Sequence, residues 1–255
     1  MADSVELKRL REQIDSLDQQ LQQLISERAR VALEVAAVKQ AEYEAALARG
    51  ESPELKFYRP EREAQILRRV MERNQGPLDD KTMAQVFREL ISACLALEKP
   101  MQVAYLGPEG TFTQAAAMIH FGHAVIAEPQ ATIANVFAEV EAGNCNYGVV
   151  PVENSTEGMV SHTLDNFIDS PLTICGEVEM RIELHLLCHP DAEEGAITRI
   201  CAHQQALAQC RHWLDQNWPN VEKVAVSSNG EGARIAAKDP ATAAIAGEMA
   251  ADLYG

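Results

Sequence analysis

Apolar residues recur along the first fifty positions in steps of three and four: Leu7, Leu10, Ile14, Leu17, Leu21, Leu24, then Val31, Val35 and Val38. That rhythm is the seam of an amphipathic helix. Neither Gly nor Pro interrupts it before Arg49, so the pattern predicts one helix of ~40 residues, roughly 60 Å long at its usual rise per residue. A single apolar stripe of that length needs another surface to cover it. Gly50, Ser52 and Pro53 end the run. A second helix is predicted from Pro60, a favoured first helical position, with Ile66, Leu67, Val70 and Met71 inward as far as Gly76-Pro77. A third begins at Asp79-Asp80, whose carboxylates suit a helix N-terminus, and aligns Met83, Val86, Phe87, Leu90, Ile91, Cys94 and Leu97 before Lys99-Pro100.

Past Pro100 the texture changes. Residues 102–106 read as a buried strand, Gly107-Pro108-Glu109-Gly110 as a turn and 113–121 as a helix. Further helices are predicted at 132–142, 205–213 and 230–237, and strands at 147–152, 172–178, 182–188, 197–201, 222–226 and 242–246. Strand and helix in alternation predict an α/β sheet. No internal repeat or low-complexity tract interrupts the order. An apparent helix runs straight into Asp252-Leu253-Tyr254-Gly255, so the second domain reads as C-terminally incomplete.

Composition agrees with two folded domains. The 255 residues are 47% hydrophobic, enough for substantial cores. Residues 1–100 carry 16 Lys and Arg against 18 Asp and Glu, and residues 101–255 carry 6 against 20. The break divides an all-helical domain, 1–99, from an α/β domain, 101–255. A net charge of −16 argues against nucleic acid and anionic lipid as partners, since both require a basic patch. No window approaches the ~18 uninterrupted apolar residues of a membrane span, and the expected location is cytoplasmic. The six cysteines are scattered and read as free thiols. His120 and His123, like His185 and His189, lack the further ligands a metal needs, so neither metal nor cofactor is expected.

Arg28 stands at the seam position where an apolar residue is due, and Lys39 follows eleven residues later. Eleven residues return to within about 20° of the same face, roughly 16 Å along the axis. Two long cations there can close on one small anion, although an isolated seam charge is as often a register device or a snorkelling side chain. Arg11 adjoins the same seam but lies about 25 Å from Arg28 along the helix; only antiparallel long helices of two copies would unite them.

The segments Leu10-Arg11-Glu12-Gln13-Ile14-Asp15-Ser16-Leu17-Asp18, Glu27-Arg28, Lys39 and Arg59-Pro60-Glu61-Arg62-Glu63 resemble the all-helical chorismate mutases. The resemblance implies a three-helix domain in an intertwined homodimer joined through the long N-terminal helix. It implies that Arg28, Lys39 and Arg62, with Arg11 of a second copy, surround the two carboxylates of chorismate. It adds Arg59, Glu63 and Cys94 as substrate contacts, Arg59 standing where some members carry Asp. Glu98 would lie at the ether oxygen, protonated there to donate a hydrogen bond, which implies a mutase favoured by acidic pH.

In the second domain, Leu106-Gly107-Pro108-Glu109-Gly110-Thr111-Phe112-Thr113-Gln114 sets two glycines and hydroxyls before a helix N-terminus, where free N–H groups suit a carboxylate. Gly148-Val149-Val150-Pro151-Val152-Glu153-Asn154-Ser155 carries polar groups off the end of a buried strand, where α/β folds bind ligands. With His203-Gln204-Gln205-Ala206-Leu207-Ala208-Gln209-Cys210 and Ser227-Ser228-Asn229, these segments resemble prephenate dehydratases. The resemblance implies two α/β lobes, like a periplasmic binding protein, with prephenate in the cleft. Glu153 would be the acid, and Thr111, Asn154, Ser155, His203, Gln209 and Ser228 substrate contacts.

Taken together, the chain resembles the bifunctional chorismate mutase–prephenate dehydratases of aromatic amino acid biosynthesis. In that family a Thr-Arg-Phe segment and a regulatory ACT domain would follow Leu253-Tyr254-Gly255, and no such tripeptide occurs in the chain. Two other readings stay open on sequence alone: a mutase with a silent second domain, and a non-enzymatic sensor dimer that binds an aromatic acid.

Overall fold

The computed structural model describes residues 5–53, 58–154 and 158–255. The chain divides into two compact units, Met1–Met101 with Gly122–Val125, and Gln102–Phe121 with Ile126–Gly255.

The first unit is built on three helices, α1 (Val5–Ala48), α2 (Pro60–Arg73) and α3 (Asp80–Glu98). Each end follows from local chemistry. Pro60 opens α2, where its missing N–H costs nothing. Asp79 caps α3 by accepting from the N–H of Thr82 at 2.9 Å and its hydroxyl at 2.8 Å. The helices meet over a small core of Ala46, Leu67, Val70, Ile91 and Cys94. Most of the α1 seam stays uncovered: Ile14, Leu17, Leu21 and Leu24 are 56%, 57%, 56% and 62% exposed.

The second unit holds two principal sheets. In the first, β1 (Gln102–Leu106) lies between β2 (Ile126–Gln130) and β3 (Tyr147–Val149), all parallel. The helices α4 (Phe112–Phe121) and α5 (Ile133–Glu141) make the crossovers. In the second sheet, β7 (Arg199–His203) lies between β8 (Glu222–Val226) and β9 (Thr242–Ala246), again parallel, and β6 (His185–Cys188) joins β9 antiparallel. The orders β2-β1-β3 and β8-β7-β9 are the same topology used twice, without a sequence repeat to announce it.

In that second sheet, α7 (Gln204–Gln209) and α8 (Arg211–Asn217) follow β7, α9 (Asn229–Ala236) follows β8 and α10 (Glu248–Tyr254) follows β9. Ala206 and Leu214 pack with Ile200, Ala202, Ala243 and Ile245, while Ala233, Ala236 and Ala250 pack with Ala244 and Ala246. Alternation along the strands puts those sets on opposite faces. The turns leaving β7 and β8 therefore diverge, one to each face. Neighbouring parallel strands with diverging exits open a crevice at their carboxyl ends, the usual ligand position in such sheets.

Several expectations need correction. The strand expected at 172–178 does not form: nothing between Ser170 and Leu184 joins a ladder. The strand expected at 182–188 starts only at His185, and that at 147–152 stops at Val149 ahead of Pro151, whose ring leaves no ladder donor. The helix expected at 205–213 is two short ones that meet at Cys210. Strand β2, the β4–β5 hairpin (Glu153–Asn154 with Gly158–Met159) and helix α6 (Ser161–Asp169) arise without having been expected.

Candidate active sites

In the first unit, Arg28 and Lys39 project from α1 toward the C-terminal end of α3. Lys39 Nζ lies 3.9 Å from Glu98 Oε2. The Glu98 side chain is 6% exposed, against 25% for Lys39, and Oε2 has no hydrogen-bond partner among the described residues. Burial pushes the Glu98 carboxyl above the usual carboxylate range, while Lys39 and then Arg28 pull it back. Cys94, one turn earlier on α3, is buried. A deeply placed carboxyl with an unused oxygen thus faces two cations, an arrangement that can accept a small dianion and still donate one proton-bearing oxygen.

Helix α2 brings a different pair. Glu63 is buried and accepts from Arg88 Nε of α3 at 3.4 Å. Burial raises its carboxyl, and a side-chain hydrogen bond with Tyr58 and the charge of Arg88 oppose that rise. Arg59, the N-cap of α2, and Arg62 in its first turn are exposed. Arg11 is exposed on α1, separated from Arg28 by the length of helix between them. The structure therefore brings Arg28 and Lys39 to Glu98, with Cys94 one turn from Glu98 on α3, while Arg11 lies about 25 Å along α1 from Arg28 within one copy. Arg88 was missed in the sequence because its partner lies 25 positions away.

In the second unit, the turn after β1 is held by side chains at the start of α4. Thr111 Oγ1 donates to the carbonyl of Leu106 at 3.1 Å, and the N–H of Gly110 donates to Gln114 Oε1 at 2.7 Å. Gly110 has φ 78°, a left-handed backbone that a side chain would strain. The same turn abuts the beginning of α9, where a Cβ at Gly230 would overlap the Glu109 carbonyl oxygen; only glycine permits that approach.

At the β7–β8 crevice, His203 ends β7 and caps α7, its Nδ1 accepting from the N–H of Gln205 at 3.4 Å. Ser228 caps α9, its Oγ accepting from the N–H of Glu231 at 3.0 Å. The hydroxyl hydrogen of Ser228 remains available to donate. Asn229 Oδ1 accepts from the N–H of His203 at 2.9 Å and so joins the two turns. Gln209 is exposed at the end of α7. Glu153 and Asn154 follow the end of β3 and form the short strand β4 paired with Gly158–Met159, Glu153 exposed and Asn154 partly buried. Ser155 lies outside the described residues.

Comparison with known proteins gives these two groups of residues a family. The profile of chorismate mutase type II matches residues 10–99, and that of prephenate dehydratase matches residues 103–255. A bifunctional chorismate mutase/prephenate dehydratase of Stutzerimonas stutzeri is 58% identical over 255 residues, covering 100% of this chain and 68% of that protein. One from Pseudomonas aeruginosa is 58% identical over 254 residues, with 68% of its length covered. Among solved structures, a prephenate dehydratase from Arthrobacter aurescens in complex with L-Phe superposes with a TM-score of 0.55 at 36% identity, over 60% of this chain and 52% of that one. No helix among the described residues is long and apolar enough to cross a membrane. The non-enzymatic sensor reading has no remaining support, because the chain belongs to the bifunctional chorismate mutase/prephenate dehydratases, enzymes of phenylalanine biosynthesis that join an isomerase to a lyase.

Proposed function

We propose that the first unit binds chorismate between Arg28, Lys39 and Glu98, with Arg11 supplied by α1 of a second copy, and that it rearranges chorismate to prephenate. The rearrangement breaks the ether C–O bond as a C–C bond forms, within one molecule and without a nucleophile or redox partner. Its catalyst must hold a compact conformer and stabilise charge developing on the ether oxygen. Lys39 and Arg28 suit the carboxylates and the developing charge. A protonated Glu98 would donate to the ether oxygen from Oε2. The observation that carries this reading is Glu98 itself: 6% exposed, with an orphan oxygen, 3.9 Å from Lys39.

Prephenate then loses carbon dioxide and hydroxide to give phenylpyruvate, aromatisation providing the drive. The group that protonates the departing hydroxyl is assigned to Glu153, and anchoring of the substrate to the turn at Thr111, to Asn154 and Ser155, and to His203, Gln209 and Ser228. Arg59, Arg62, Glu63 and Cys94 complete the wall of the mutase site. A homodimer through the α1 seam, cytoplasmic location and independence from any cofactor belong to the same proposal. Chorismate loss and phenylpyruvate formation followed side by side, for the chain and for Arg28→Ala, test it. Both signals in the first and a mutase signal reduced at least about hundredfold in the second are expected; an Arg28→Ala protein with undiminished chorismate turnover would overturn the assignment.

A further inference from the structure

We infer that Asn229 is a positioning residue of the prephenate site, a tie that fixes the turn after β7 against the turn after β8. The inference rests on reading the second unit as the dehydratase. Register between β7 and β8 ends at the pair His203 and Val226. Beyond it the two chains leave for opposite faces of the sheet, and no ladder bond can hold them together. Asn229 Oδ1 extends the pairing one step past that end by accepting from the N–H of His203 at 2.9 Å. Because a backbone N–H can only donate, the oxygen of the amide must be the atom facing it.

Folding of α9 does not depend on this bond. Ser228 caps the helix through Glu231, Gly232 lets it approach the Cys201 carbonyl, Gly230 lets it approach the Glu109 carbonyl, and Ala233 and Ala236 bury it in the core. The Asn229 side chain is surplus to those contacts, and what it orients is the backbone of His203. Its consequence is the distance across the crevice between His203 and Ser228, the two groups on its opposite lips. Small errors in such a distance are costly for a reaction that depends on a held geometry.

The test compares Asn229→Ala, which removes the acceptor, with Asn229→Asp, which keeps it, both in the full chain. Phenylpyruvate formation by Asn229→Ala should fall about tenfold to a hundredfold in kcat with a smaller change in KM. Asn229→Asp should keep kcat within roughly threefold and raise KM instead, because its charge opposes a dianionic substrate. Exchange of the His203 amide hydrogen should accelerate in the Ala variant and stay slow in the Asp variant. Chorismate turnover by the same molecules should equal that of the parent chain. Equal kcat in Asn229→Ala and the parent, or equal loss in both variants, overturns the inference. A parent chain that forms no phenylpyruvate from prephenate instead overturns the dehydratase reading beneath it.

Discussion

The exposed seam of α1 makes a quantitative prediction. Ile14, Leu17, Leu21 and Leu24 each retain a little over half of their surface in one copy. Full burial of such a side chain is worth ~1.5–3 kcal/mol, so covering the remainder contributes about 1–1.5 kcal/mol each. Four side chains from each of two copies give roughly 8–12 kcal/mol, against an association cost of ~4–15 kcal/mol. Leu7, Leu10, Val31, Val35 and Val38, all more than a third exposed, shift that balance toward a stable dimer.

Replacing Leu17 and Leu21 together by Asp removes about 4–6 kcal/mol from the pair, and dissociation should rise by three to four decades, at ~1.4 kcal/mol per decade. Burying four carboxylates would add to the loss. Sedimentation velocity at micromolar protein should show a dimer for the parent chain and a monomer for the variant, with circular dichroism reporting that α1 remains helical. Mutase turnover should collapse with the dimer, since the proposed site takes Arg11 from a second copy, while prephenate turnover per chain should persist. A monomeric parent, or a monomeric variant with full mutase rate, would refute the reasoning.

Three other outcomes follow from the same geometry. If Glu98 donates its proton to the ether oxygen, kcat should fall about tenfold for each pH unit above its raised carboxyl value, and Glu98→Gln, which donates at any pH, should give a flat profile; a parallel slope in both proteins excludes that role. Arg88→Ala should destabilise the first unit by about 1–3 kcal/mol by leaving the buried Glu63 carboxylate without its charged partner. The sign is fixed by burial: Glu63 in the folded unit binds its proton more tightly than in the unfolded chain, so its contribution is most favourable below the unfolded value of 4.5 and is lost as pH rises through the folded one. Removing Arg88 raises the folded value further, so the melting temperatures of variant and parent should converge at low pH and separate above it. Ile200→Ala, at a position with 0% exposure in β7, should cost ~2–5 kcal/mol and lower the melting transition of the second unit while chorismate turnover stays intact.

What could be read from the chain divides along physical lines. The three long helices were legible because one period runs through each of them and Gly50, Pro60 and Asp79 mark their ends. Thr242–Ala246 was legible as a strand from its short, mostly apolar run, and the structure buries all five residues. Strand β2 was not, since Ile126-Ala-Glu-Pro-Gln130 carries a proline and a carboxylate that argue against pairing; it survives as an edge strand, where Pro129 need not donate outward. Helix α6 was missed for want of a signal: Val160 precedes it and supplies no side-chain cap. The reverse error, a strand at 172–178, came from apolar residues that find no ladder among the described residues. Periodicity reports which side chains seek burial but not whether a partner strand is present.

The two sites differ in how far they depart from local rules, and that difference decides which residues sequence can identify. Arg28 interrupts an apolar seam, a conflict with the helix pattern that a ligand can resolve, so it is visible one residue at a time. The groups at the β7–β8 crevice conflict with nothing. Ser228 is an ordinary helix cap, His203 an ordinary strand end, and Asn229 an ordinary first-turn residue; each satisfies its own neighbourhood. Their chemistry appears only when 26 positions of chain are folded back to set the Asn229 amide oxygen on the His203 N–H. A site assembled from locally satisfied residues can be found only through the fold, because the constraint lies in the distance between them rather than in any residue's type.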